Sequence, residues 1–257
     1  MSYIITDDKH YQAIGEALQR KRGEEKSYLP SEMAAAINTI PSAVDGTDLP
    51  VQAIYWTKPD ETGRPTECDI VNWHTDTPLA WSNILAQNRF TKIQTIKFIN
   101  CDNISSIEPN AFDSCSNLAS ITLPDSVTSI GPNAFNACYS LASITLPDSV
   151  TTLDYLSFGR CSSLKDVVLP NSLSYVNPYA FQYSVNIENV ILGQNFNCAL
   201  TLSYSTRYSA DTMVAMFEAL KDLTGQTAKT LTLGATNLAK LTAEQKQIAT
   251  DKNWNLA

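Results

Sequence analysis

The sequence predicts a right-handed α/β solenoid with short parallel strands, and three observations predict it. The decapeptide LASITLPDSV stands at residues 118–127 and again at 141–150, which sets a period of 23. Phe112, Phe135, Phe158 and Phe181 recur on that period, as do Cys115, Cys138 and Cys161. Between these marks the unit reads A-F-x-x-C-x-x-L-x-x-I-x-L-P-x-S-V-x-x-I. An L-x-x-L-x-L core repeating every roughly 20 to 29 residues marks a stack of leucine-rich coils.

Each position of the unit has a physical reason to recur. Leu118, Leu141, Leu164 and Ile187 open the strand, Ile121, Ile144, Val167 and Val190 follow, and Leu123, Leu146, Leu169 and Leu192 come two residues later. The I-x-L alternation points two side chains inward and their neighbours outward. Pro124, Pro147 and Pro170 end the strand, because proline has no N–H for a ladder. Pro132 in IGPNAF is placed to start a short helix or 3₁₀ turn. A lone unit cannot bury enough apolar surface to offset the entropy of ordering it, so the units must stack. The three periodic cysteines read as small buried packing groups, since no C-x-x-C pair suggests redox or metal chemistry.

At these residues the chain resembles the BspA-like leucine-rich repeats. The likeness is carried by AFNACYSLASITLPDSVTTL, with its Cys after A-F and its L-P-x-S-V. It departs from the commoner leucine-rich pattern in having no asparagine ladder; Ser126, Ser149 and Ser172 stand near that place instead. The resemblance covers 91–200 strongly and 51–257 loosely. It implies a surface adhesion or host-binding role and brings no catalytic residues.

The flanks divide the chain. Residues 1–40 read as a helical hairpin, with a Thr6 cap, inward Ile14 and Leu18 and a Gly23 stop, then PSEMAAAINTI as a second helix. The hairpin is similar to N-terminal hairpins of prophage and tail-associated proteins of Gram-positive bacteria, and it is the expected site of any oligomer contact. Residues 41–50 form a linker, and 51–257 the solenoid. Within it, 51–98 hold an N-terminal cap and first rungs, 99–198 the regular repeats and 199–257 a C-terminal cap. The N-terminal cap is expected as a two-strand hairpin over 51–73, then a helix in PLAWSNILAQNRF. The C-terminal cap is expected as a helix from Ser209 toward Gly225, a strand in KTLTLG and a closing helix in TAEQKQIATDKNW.

Composition narrows function. Net charge is −8, and residues 99–200 carry eight acids against Arg160 and Lys165, a net of −6 that would repel a phosphate backbone. Nucleic acid is therefore not an expected partner. No apolar run approaches the roughly 20 residues that span a bilayer. MSYIITDDKHYQ lacks the plan of a signal peptide, so the chain is expected to be made in the cytoplasm and to act at a virion or cell surface. The sequence has two histidines, His10 and His74, and no nucleophile paired with a base, phosphate loop or metal motif. The expectation is a non-enzyme without cofactor or metal that binds a protein or glycan. The alternative is a structural part of a phage tail or cell-surface assembly.

Departures from the repeat point to the contact surface. Outward strand positions run Ser120, Ser143, Asp166, Asn189 and Thr122, Thr145, Val168, Ile191, bland first and varied later. Tyr139, Tyr155, Tyr175, Tyr179, Tyr183, Tyr204 and Tyr208 make seven of the eleven tyrosines. Tyrosine offers broad contact with a polar tip. The expected ligand contacts are Asp166, Val168, Asn189 and Ile191 on a concave strand face, with Tyr175, Tyr179 and Tyr183 at its rim.

Overall fold

The computed structural model describes residues 3–5, 53–59, 65–71, 93–99, 101 and 104–257. At the N-terminal end, β1 (Tyr3–Ile5) lies parallel to β2 (Ala53–Pro59), β2 antiparallel to β3 (Pro65–Val71), and β3 parallel to β4 (Thr95–Ile99). The β2–β3 pair is thus a hairpin whose outer edge is covered by β1. The expected helices and linker of residues 6–50, and the helix expected after residue 77, lie outside the described residues.

From residue 104 the chain winds through coils with three hydrogen-bonded sides. The first side holds β6 (Ser120–Ile121), β8 (Ser143–Thr145), β10 (Asp166–Leu169) and β12 (Asn189–Leu192). Ser143 pairs with Asp166 and Asp166 with Asn189. The second side holds β5 (Ser106–Ile107), β7 (Ser129–Ile130), β9 (Thr152–Leu153) and β11 (Tyr175–Val176), with Ser106, Ser129, Thr152 and Tyr175 in one register. These strands come from the S-V-x-x-I end of the unit, where two residues are too few for a readable alternation. On the third side the turns themselves form a ladder. The N–H of Phe112 donates to Ala134 at 2.7 Å, that of Phe135 to Ser157 at 2.8 Å and that of Phe158 to Ala180 at 2.8 Å.

The third side corrects the expected helical turn at Pro132. Asn110, Asn133 and Leu156, then Ser114, Ala137, Arg160 and Tyr183, have φ between +52° and +65°. Left-handed residues this close together leave no room for a right-handed helix. The coils are strand and turn, and among the described residues the helices lie in the C-terminal region.

Every residue of the inward columns is buried. The four phenylalanines stack with ring centres 5.1, 5.1 and 5.6 Å apart, so each coil's ring is packed by its neighbours'. Polar columns run beside this core. Ser126 Oγ donates to the Ile104 carbonyl at 2.8 Å, Ser149 to Val127 at 2.6 Å and Ser172 to Val150 at 2.7 Å. These serines hold one coil to the one before it. Where sister units have proline, Gly193 donates its N–H to Leu169 at 2.8 Å, and a Cβ there would stand 2.6 Å from Asn171 N.

The C-terminal region follows the last coil with helices and a further set of parallel strands. Ser209 caps α1 (Ala210–Ala219), accepting from the Thr212 N–H, and Met213, Met216 and Phe217 face the core. The helix stops at Ala219, short of Gly225, because Leu220 is extended and bridges to Phe196. Strands β13 (Leu200–Thr201), β14 (Lys229–Thr232) and β15 (Trp254–Leu256) lie parallel. A short α2 (Ala235–Leu238) and α3 (Ala243–Thr250) join them, α3 starting with a Thr242–Gln245 capping box. The closing helix therefore ends before Trp254, whose Nε1 donates to the Lys221 carbonyl at 2.8 Å and whose backbone serves β15. Lys252 Nζ donates to three carbonyls at the end of α1, Phe217, Glu218 and Leu220.

Candidate recognition surface

The outward side chains differ from side to side of the coil. On the first side, Asn189 Nδ2 donates to Asp166 Oδ1 at 2.7 Å, and Val168 pairs in register with Ile191. Ile191 is 62% exposed, whereas Val168 is half-buried. Beside them Glu188 lies between Lys165 at 3.8 Å and Arg207 at 3.4 Å. These four expected contacts form one patch.

The three expected rim tyrosines do not share that patch. Tyr175 lies on the second side, where its hydroxyl accepts from Asn177 Nδ2 at 3.2 Å. Tyr179 and Tyr183 lie on the turn side with residues that sequence reasoning did not single out as contacts. The Tyr179 ring meets that of Tyr155 edge-on at 5.9 Å, and the Arg160 guanidinium sits 5.6 Å from the centre of the Tyr183 ring. Tyr204, half-buried, stands 23 residues after Phe181 on the next coil. Partial burial raises its phenol above the ordinary value, and the phenols of Tyr179, Tyr183 and Tyr155 raise it further. A signal for Arg160 was present in the sequence, since it stands 23 residues after Ala137 and 23 before Tyr183.

Tyr208 leaves the set of surface tyrosines. It is 1% exposed, its hydroxyl donates to the Leu202 carbonyl at 3.0 Å, and burial pushes its phenol upward. It fills core at the start of the C-terminal region.

A cleft of about 340 Å³ opens on the first side, lined by Ser120, Thr122, Leu123, Asp125, Ser143 and Thr145 among others. It lies where the strand ladder is interrupted, β6 pairing back to β4 and β8 onward to β10. Its walls are the two verbatim copies of the repeat.

The cysteine column is free of disulfides and buried. Burial pushes the Cys115 and Cys161 thiols up to about 12 and Cys138 well above its usual value. Such thiols carry little thiolate near neutrality and are poor nucleophiles. Among the described residues, no group of three or more His, Cys, Asp or Glu could hold a metal ion, and no helix is long and apolar enough to cross a membrane. His10 and His74 lie outside the described residues.

The repeated inward columns and stacked parallel strands have known counterparts. Residues 83–206 match the BspA type leucine rich repeat region, in six copies. Repeats of this type are generally binding or adhesion modules. Among solved structures, a leucine rich repeat protein of T. pallidum is similar at 19% identity and a TM-score of 0.47, over 79% of this chain and 95% of that one. A leucine-rich repeat protein of Bacteroides ovatus aligns at 18% identity and a TM-score of 0.39, over 71% of this chain and 58% of its own. A leucine rich cell surface protein of Faecalibacterium prausnitzii aligns at 14% and 0.29, over 65% of this chain and 51% of its own. No curated protein matches the chain.

Proposed function

We propose that this chain is a non-catalytic recognition module, a capped right-handed solenoid of 23-residue coils that holds a protein or glycan against its later coils. One observation carries the reading. Across residues 104–257 the exposed large hydrophobic residues are Tyr139, Tyr155, Tyr175, Tyr179, Tyr183, Val185 and Ile191, all within 139–191, while the inward columns keep the same chemistry throughout. Drift alone would not be expected to concentrate aromatic groups in water on one part of an otherwise uniform stack. Half-exposed tyrosines on a rigid backbone offer contact area with little further ordering on binding. The site of action we propose is a virion or cell surface.

The test is retention on an immobilised panel of extracellular-matrix proteins and glycans, read by biolayer interferometry. Saturable binding to at least one member supports the module. Absence of binding to every member, from a chain that melts cooperatively, would instead favour a structural part of a phage tail or surface assembly.

A further inference from the structure

The recognition reading has a narrower form on the turn side of the coils, and this inference rests on that reading. Tyr155, Tyr179, Tyr183 and Tyr204 come from three successive coils, and the rings of Tyr155 and Tyr179 meet across two of them. Tyr155 and Tyr179 are 5.9 Å apart at an interplanar angle of 71°, so one ring stands across the edge of the other. Tyr155, Tyr179 and Tyr183 are 43%, 47% and 54% exposed. Across residues 104–257, the phenol oxygens that hydrogen bond are those of Tyr175 and Tyr208, which leaves these four free to bond a ligand. The backbone beneath them is fixed by the turn ladder and by the stacked phenylalanines, Phe158 against Phe181 at 5.6 Å.

We propose that Tyr155, Tyr179, Tyr183 and Tyr204, with Arg160, form a platform for an uncharged glycan chain whose sugar rings stack on the phenol rings across successive coils.

Three features favour this ligand. The first is balance of charge. Arg160 is the cation of the group, over Tyr183, and Asp154 is the nearby acid, its carboxylate accepting from the Tyr155 N–H at 2.6 Å. The near-neutral patch lies in a segment of net charge −6, which disfavours polyanionic glycans. The second is shape. Protein anchors are held in well-packed, desolvated pockets, and the described cleft belongs to the strand side at Ser120–Pro147. The tyrosines instead offer open rings with polar tips, which suit the apolar C–H faces and the hydroxyls of a pyranose together. The third is repetition. Coils recur about every 4.8 Å, so rings on successive coils make a row that a chain of sugars can follow.

The test is affinity gel electrophoresis of the full chain through gels holding glucan, mannan, xylan or galactan, with heparin as the anionic control. At least one neutral polysaccharide should retard the wild type. Tyr179→Ala with Tyr183→Ala should weaken that retardation about tenfold or more, a loss of about 1.4 kcal/mol. Tyr179→Phe with Tyr183→Phe keeps the rings and should lose much less. Ser120→Ala with Ser143→Ala, exposed on the strand side, should change nothing. Should the double alanine variant melt early, Tyr183→Ala alone is read in the same way. The proposal is overturned if no neutral polysaccharide retards the chain, if heparin alone does, or if the alanine variant binds as well as the wild type. Binding to a matrix protein that is lost with Val168→Thr and Ile191→Thr would sink the glycan platform while leaving the recognition module standing.

Discussion

The Ser184 hydroxyl donates to the Phe158 carbonyl at 2.7 Å, in the same place where the Cys161 thiol donates to the Phe135 carbonyl at 3.2 Å. Cys138 does likewise to Phe112 at 3.3 Å. One column thus carries a small side chain with one hydrogen to give, directed back to the preceding coil. Cysteine and serine both satisfy it, and this explains how the fourth unit can depart from the cysteine pattern without a break in the stack.

The first prediction follows from that contact. Cys161→Ser should cost little, because the hydroxyl can make the same bond, as Ser184 does. Cys161→Ala removes both the donor and buried volume and should cost about 1–2 kcal/mol by urea unfolding. Equal losses in the two variants would show that the sulfur contributes by packing alone.

The thiols also set a pH response. Burial raises the folded pKa of Cys115 and Cys161 from 9.0 to about 12. A raised folded pKa gives stability that is complete below the unfolded value and is lost as pH rises through the folded one. Stability should therefore fall between about pH 9 and 12, by up to about 1.4 kcal/mol per pH unit for each thiol. Cys115→Ser with Cys161→Ser should flatten this fall. At pH 8 a thiol reagent should label the column slowly in the native chain and fully in denaturant. Disulfides among Cys115, Cys138 and Cys161 in mass mapping would overturn the account.

Ser157 occupies the column of Ala111, Ala134 and Ala180. It is buried, and its hydroxyl has no partner. An unsatisfied buried hydroxyl costs about 1–3 kcal/mol, so Ser157→Ala should raise the urea midpoint by roughly 1 kcal/mol of stability or more. An unchanged or lowered midpoint would mean that the hydroxyl is solvated after all.

Ser114 is exposed and has φ of +62°. Glycine would relieve about 1–2 kcal/mol of left-handed strain against about 0.4–1 kcal/mol of added unfolded-state entropy. Ser114→Gly should thus stabilise slightly, and Ser114→Val should destabilise by more than Ser114→Gly gains. The reverse order in thermal melts would place the turn in another conformation.

Much of this was legible because the repeat multiplies each signal. Phe112 alone says little; four phenylalanines at one spacing identify an inward column, and their burial needs no tertiary information beyond stacking. Other features were silent for physical reasons. Ser129–Ile130 and its sister strands are two residues long, so alternation cannot reveal them. Pro132-Asn133-Ala134 resembles a helix start, and only the left-handed Asn133 and Ala137 turn it aside. Trp254 follows a good helix sequence, yet the need to continue the β14 edge draws it into a strand. The proposed contact residues were least legible. Tyr175, Tyr179 and Tyr183 are close in sequence, but one coil turns between them, which puts Tyr175 on one side and Tyr179 and Tyr183 on another beside Tyr155 and Arg160.

The central claim is that the stack keeps one core and places recognition in its later, departing surface. The most direct measurement compares the wild type with a chain whose departures are returned to the earlier copies: Val168→Thr, Tyr175→Ser, Tyr179→Asn, Tyr183→Ala and Ile191→Thr. Both are melted and then passed over the same glycan and matrix-protein panel. The account predicts closely similar melts and binding weakened about tenfold or more in the returned chain. Undiminished binding with an intact fold would contradict it.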